Sequence, residues 1–170
     1  MSVTAPATEA PHALLDRLQP DEARQALGRC CGATAWIEGM LARRPFASQA
    51  ALYAAAEAVW QALGPEDYLE AFAHHPQIGG RAGDTSGWAA AEQARVGEAA
   101  SDVVTSLAAA NRAYLARFGY IFIVCATGKT ADEMLALLRD RLGNDPGAEL
   151  PIAAAEQAKI TRLRLEKLTR

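Results

Sequence analysis

The sequence predicts an all-α protein of about seven or eight helices with one extended segment. Three observations carry this expectation. Alanine is abundant while aromatic residues make up only 6% of the 170, a mix that suits close-packed helices rather than a β-sandwich. Apolar residues recur at helical spacing along most of the chain. Only one stretch, Tyr120–Cys125, has the β-branched and aromatic density of a buried extended strand. A hydrophobic fraction of 51% is ample for one core, so disorder is not expected over most of the chain.

Residues 1–11, small and polar, read as a flexible N-terminal tail, and residues 12–170 as one folded domain. A first helix starts near Pro20-Asp21-Glu22, with proline and acids in its first turn, and ends near Gly28 or Gly32. Ala33 to Leu41 makes a short helix that stops ahead of Pro45. Gln49 to Leu63 is longer, with Leu52, Ala56, Val59 and Leu63 at helical spacing, and Gly64-Pro65 ends it. Glu66 to His74 forms the next. From His75 to Gly87 the glycines at 79, 80, 83 and 87, with Pro76 at the start, make a loop. Helices resume over Trp88–Glu98 and Ser101–Phe118, the latter with Val104, Leu107, Asn111, Leu115 and Phe118 along one side, and Gly119 breaks it. After the extended segment, Thr130 and Glu133 form a capping box for a helix carrying Leu135, Leu138 and Leu142. Residues 143–147 are a turn, and a last helix runs from about Glu149 to Leu168.

Charge and cysteine usage narrow the function classes. The net charge is −3 with no basic stripe, which argues against nucleic acid as a partner. The three cysteines, Cys30, Cys31 and Cys125, include an adjacent pair and an odd one, the usage of free thiols in a reducing compartment. No apolar run is long enough to cross a membrane, and residues 1–11 lack a signal pattern, so a soluble cytoplasmic protein is expected.

The lone extended segment raises a question of its own. With no sister strand its peptide groups need other partners: loops and water, or a ligand with amide-like edges. Among polar residues, His74 and His75 invite a metal reading, but Cys30 and Cys31 have no recognisable ligand spacing to them, and no metal is expected. A core or capping histidine is the ordinary role. His75, however, sits where a helix gives way to a glycine-rich loop and Pro76 fixes the next φ, so the scaffold orients a side chain suited to proton transfer near neutrality. Trp88 and Glu92 share a helix face; a carboxylate there is ordinarily a solvated one, but the loop before them is long enough to fold Glu92 back toward His75 as an acid/base partner. Arg164 lies between Ile160 and Leu168 on the apolar side of the last helix, and a cation there needs an anion, either a core carboxylate or a substrate; Lys167 lies near the same face. Gly128-Lys129-Thr130 lacks the earlier glycine of a phosphate loop.

Together these strings resemble a known family. Phe72-Ala73-His74-His75-Pro76-Gln77-Ile78-Gly79-Gly80-Arg81 resembles the His-Pro motif of the OHCU decarboxylases, which act on 2-oxo-4-hydroxy-4-carboxy-5-ureidoimidazoline (OHCU). Trp88 with Glu92-Gln93 resembles their second motif, residues 111–125 their third, and Ile160–Leu165 their C-terminal helix; Trp36 and Arg44-Pro45-Phe46 match upstream. The resemblance implies an all-helical, cofactor-free carboxy-lyase of urate degradation in purine catabolism, a homodimer, making S-allantoin. Carried over by motif, His75 and Glu92 are the catalytic residues. Pro76, Trp88, Ala89, Gln93, the stretch Phe122, Ile123, Val124, Cys125 and Ala126, and Arg164 contact substrate. Ala89 stands where many members carry a hydroxyl, and Gln77–Gly80 departs from members with an acidic residue after His-Pro. The same polar set would also serve another lyase or hydrolase of a ureido or hydantoin ring, and the fold without the chemistry would be a helical scaffold.

Overall fold

A computed structural model of the chain describes residues 9–76 and 101–169. Among the described residues there are eight helices and no strand: α1 (Pro11–Arg17), α2 (Pro20–Cys30), α3 (Thr34–Leu41), α4 (Gln49–Gln61), α5 (Pro65–Ala73), α6 (Ser101–Phe118), α7 (Ala131–Leu142) and α8 (Pro146–Glu166). The all-α expectation holds. The helix expected over Trp88–Glu98 and most of the glycine-rich loop before it lie outside the described residues. The described residues form two compact groups, residues 9–67 with 160–169 and residues 68–76 with 101–159.

In the first group α2 buries Ala23, Ala26, Leu27 and Cys30, the i, i+3, i+4, i+7 stripe of an amphipathic helix. Its first turn is closed by Glu22, whose carboxylate accepts the Gln19 N–H at 3.0 Å. Ser48 caps α4 by accepting the Ala51 N–H, and α4 buries Leu52, Ala56, Val59 and Trp60. Trp36 of α3 is fully buried, and its indole Nε1–H donates to the Ala56 carbonyl of α4 at 3.1 Å. The two helices come close at Gly39, where an added Cβ would fall 2.7 Å from Val59 Cγ1. α4 ends at Gln61, two residues before the predicted Leu63, and Trp60 takes the buried place expected of Leu63. Helix α1 was not predicted. Its seven residues give too little periodicity to read, and its place is fixed by tertiary contacts instead. Leu14 and Leu15 are buried, Arg44 Nη2 donates to the Asp16 and Leu18 carbonyls, and the Asp16 carboxylate accepts the Phe46 N–H at 2.8 Å.

In the second group α6 and α7 pack around the segment 120–126. Leu107, Tyr114, Phe122, Val124, Ala126, Met134 and Leu138 form its core. The buried side of α6 carries Leu107, Asn111 and Tyr114, whereas Leu115, expected on that side, is 38% exposed. Tyr114 wins the inward position because its ring packs against Phe118, Tyr120 and Phe122 while its hydroxyl reaches the carboxylate of Glu149. Gly119 ends α6 at φ +82°, a conformation open to glycine and strained for other residues. The predicted capping box is present: the Thr130 side chain accepts the Glu133 N–H at 3.2 Å, and the Glu133 carboxylate accepts the Thr130 N–H at 2.7 Å. α8 begins at Pro146, three residues before the predicted start, because proline's fixed φ suits a first helical turn as well as the loop it was assigned to.

Candidate active site

Phe122–Ala126 is buried and takes no regular secondary structure. Side chains from the two helices and the turn that follow hold its main chain. Arg141 Nη1 donates to the Ile123 carbonyl at 2.6 Å, Lys129 Nζ to the Cys125 carbonyl at 2.9 Å, and Glu156 Oε2 accepts the Cys125 N–H at 2.7 Å. Among the described residues none bonds the peptide groups of Phe122 or Val124.

Arg141 is itself held by burial and charge. Its guanidinium lies over the Phe122 ring, 4.5 Å from the centroid. Its Nε donates at 2.7 Å to Glu149 Oε1, with Nη2 2.6 Å from the same oxygen. Glu149 is fully buried and also accepts from the Tyr114 hydroxyl and, at 2.8 Å, from Asn144 Nδ2. Burial first, then the hydrogen bond to Glu149, pushes the Tyr114 phenol above its ordinary range, so Tyr114 remains a donor at any physiological pH. Burial pushes the carboxyl of Glu156 up. The bonds from Lys159 and the Cys125 N–H outweigh it and hold this group below the usual carboxylate range, so it is anionic at neutral pH.

His75 follows α5, with its backbone N–H bonded to the Phe72 carbonyl at 3.1 Å. Its ring is half-buried, and Nε2 lies 2.5 Å from Oε1 of Gln157, a fully buried residue of α8. A cavity of about 250 Å³ is lined by His75 with Leu69, Phe72, Ala73, Leu115 and the start of the extended segment at Tyr120 and Ile121. Consecutive residues of α8, Glu156 and Gln157, thus reach Cys125 and His75 respectively; neighbours on a helix diverge by about 100°, so one turn serves both elements.

Of the residues expected at the site, His75 and Phe122–Ala126 therefore share one support, and Pro76 stands half-buried beside His75. Trp88, Ala89, Glu92 and Gln93 lie outside the described residues. Arg164 is half-buried between buried Ile160 and Leu168, as its spacing implied. It belongs to the first group, where its charge acts on Cys30, a thiol that burial pushes up to about 12 against that pull. Among the described residues no group of three His, Cys, Asp or Glu side chains is placed to hold a metal ion. Gln157, Glu156, Arg141 and Glu149 were not anticipated; each acts across a distance in sequence that periodicity does not register.

The family model for OHCU decarboxylase matches residues 16–166. The chain belongs to the OHCU decarboxylase family. The uric acid degradation bifunctional protein TTL of Arabidopsis thaliana is 39% identical to it over 145 residues, 82% of this chain and 45% of that protein. The 2-oxo-4-hydroxy-4-carboxy-5-ureidoimidazoline decarboxylase of Amia calva is 33% identical over 99 residues, 55% of this chain and 57% of that one. The chain thus spans about half the length of these curated relatives. A crystal structure of an OHCU decarboxylase in the presence of (S)-allantoin, 37% identical, superposes with a TM-score of 0.75 over 89% of this chain and 98% of that one. An (S)-allantoin synthase, 20% identical, shares the family's fold with a TM-score of 0.71, covering 95% of this chain and 54% of that one.

Proposed function

We propose that the chain decarboxylates OHCU to (S)-allantoin, the step its family serves in urate degradation. The observation that supports this reading is that neighbouring residues of α8, Gln157 and Glu156, hold His75, the proposed proton-transfer group, and Cys125 of the extended segment, in a member of this family. The substrate bears a carboxylate and a hydroxyl on one ring carbon, next to a C=N bond. When the carboxylate leaves as carbon dioxide, its bonding pair forms a C=C bond and the C=N pair moves to nitrogen, which takes a proton. The hydroxyl then gives up its proton as the C=O forms, and the neighbouring carbon is protonated on one face. The substrate is its own electron sink, so the proposed reaction needs no cofactor; the protein supplies orientation and stereocontrol.

In this scheme His75 takes the proton-transfer role at the hydroxyl and faces the hydroxyl and carboxylate region, with Pro76 beside it. Glu92 orients His75 or a ring N–H. Gln93 and the peptide edges of residues 122–126 bind the urea-like groups, Trp88 and Ala89 contact substrate, and Arg164 binds a carboxylate or tunes Glu92. A homodimer, proposed on the family resemblance, and a cytoplasmic setting, favoured by free Cys30, Cys31 and Cys125, complete the reading. No helix among the described residues is long and apolar enough to cross a membrane.

The test generates OHCU in place from urate with the upstream enzymes and follows circular dichroism with a chelator present. Faster decay than the uncatalysed trace, leaving a lasting signal of the S enantiomer, is expected. A trace that matches spontaneous decay to racemic product would overturn the proposal.

A further inference from the structure

We propose that Glu156 is a positioning residue: by holding the Cys125 N–H, its carboxylate aims the Val124 carbonyl at the N–H groups of the bound substrate. The identity of the substrate rests on the decarboxylase reading; the direction of the carbonyl does not. The Val124–Cys125 peptide bond is trans, and in a planar trans peptide the N–H and the C=O point in opposite directions. A side chain that grips the N–H therefore fixes the carbonyl to face away from itself. Glu156 Oε2 accepts that N–H at 2.7 Å, the length of a charge-assisted bond, about twice as strong as a neutral one. Burial alone would favour the neutral acid. The bonds from Lys159, at 2.5 Å on Oε1, and from the Cys125 N–H outweigh it, so the acceptor is charged at neutral pH.

The other end of Cys125 is held as well. Gly128, at φ +78°, turns the chain back, so that the Lys129 N–H meets the Ala126 carbonyl at 3.0 Å and Lys129 Nζ meets the Cys125 carbonyl at 2.9 Å. Cys125 thus gives both of its main-chain groups to opposite charges carried on separate elements, the turn and α8. The Val124 carbonyl is the neighbour left open: among the described residues nothing bonds it, although Val124 is buried. An open acceptor in a buried residue ordinarily has a water or a ligand as its partner. The substrate brings ring and ureido N–H groups, donors that an amide carbonyl accepts. Hydrogen bonds weaken steeply as they bend, so a loosened Cys125 peptide would cost the substrate this contact.

The full-length chain labelled with ¹⁵N-cysteine gives three backbone amide signals, and the Cys125 signal is the one missing from a Cys125→Ala sample. Bonded to a carboxylate, its proton is expected downfield of those of Cys30 and Cys31, which bond helical carbonyls. Glu156→Gln keeps a neutral acceptor and should hold KM for OHCU within about threefold of the parent. Glu156→Met keeps the helix without the acceptor. It should move the Cys125 signal upfield and raise KM by about tenfold or more, the worth of one substrate hydrogen bond, with kcat within about threefold. A purely structural role would lower Tm and leave KM unmoved. Glu156→Asp, one methylene too short to reach, replaces the methionine variant if that chain does not fold, with the same expectation. A wild-type Cys125 amide no further downfield than the other two overturns the clamp. A KM within about twofold of the parent in the variant that has lost the bond overturns the positioning role. The expected amide in a wild-type chain inert toward OHCU upholds the clamp and overturns the decarboxylase reading alone.

Discussion

Replacing Glu149 by alanine is expected to destabilise the fold by about 3–5 kcal/mol, the cost of leaving a buried cation without its anion. Arg141 is only 8% exposed, and its other polar contact, the Ile123 carbonyl, is neutral. The Tyr114 hydroxyl and the Asn144 amide lose their acceptor in the same change. Against a total stability of about 5–15 kcal/mol this is a large share, and it corresponds to a fall in Tm of about 6–20 °C for a chain of this size. Chemical denaturation of the variant measures it; a loss below about 1 kcal/mol would mean that Glu149 contributes shape rather than charge. The double variant Glu149→Leu with Arg141→Met should recover much of the loss, because it removes both charges together. Such a chain would fold and yet lack the donor on Ile123.

Replacing His75 by asparagine is the second large effect, and it falls on rate rather than on folding. Asparagine keeps a hydrogen-bonding side chain of similar reach but cannot take a proton near neutrality, so kcat toward OHCU should fall by about 10²–10⁴. His75 is half-buried at the end of α5, and its backbone bond to Phe72 survives the change, so helical circular dichroism should be unaltered. Activity within about threefold of the parent would remove His75 from the proton-transfer role, since even modest general-base catalysis exceeds that factor.

The two effects differ in how readable they were beforehand. The place of His75 at a helix end was legible because its signal is local: a histidine followed by a proline and then by glycines. The capping box at Thr130 and Glu133 and the span of α6 were legible for the same reason. Gln157 is 82 residues from His75, and nothing in its immediate neighbours separates it from any other helical glutamine. Arg141 in a last helical turn and Glu149 in a first one each look like routine complements of the helix dipole, and only the fold turns them toward one another. Helix α1 and the exchange of Leu115 for Tyr114 were missed because packing, not periodicity, decides short helices and the edges of apolar stripes. Arg164 was rightly placed between buried neighbours, but the identity of its partner is not a property of the helix it sits on.

Tyr120–Cys125 has six residues of high β-propensity with no charge, proline or glycine, the composition of segments that stack into fibrils. In the folded chain its peptide groups at 123 and 125 are occupied by Lys129, Arg141 and Glu156, all of which come later in sequence. A ribosome therefore delivers the adhesive segment first and its last restraint 31 residues afterwards. During that interval, and in every refolding attempt, the segment is guarded by nothing of its own. Arg141→Met should accordingly scatter more light than the parent when refolded at the same concentration; equal scattering would mean that burial alone keeps the segment apart.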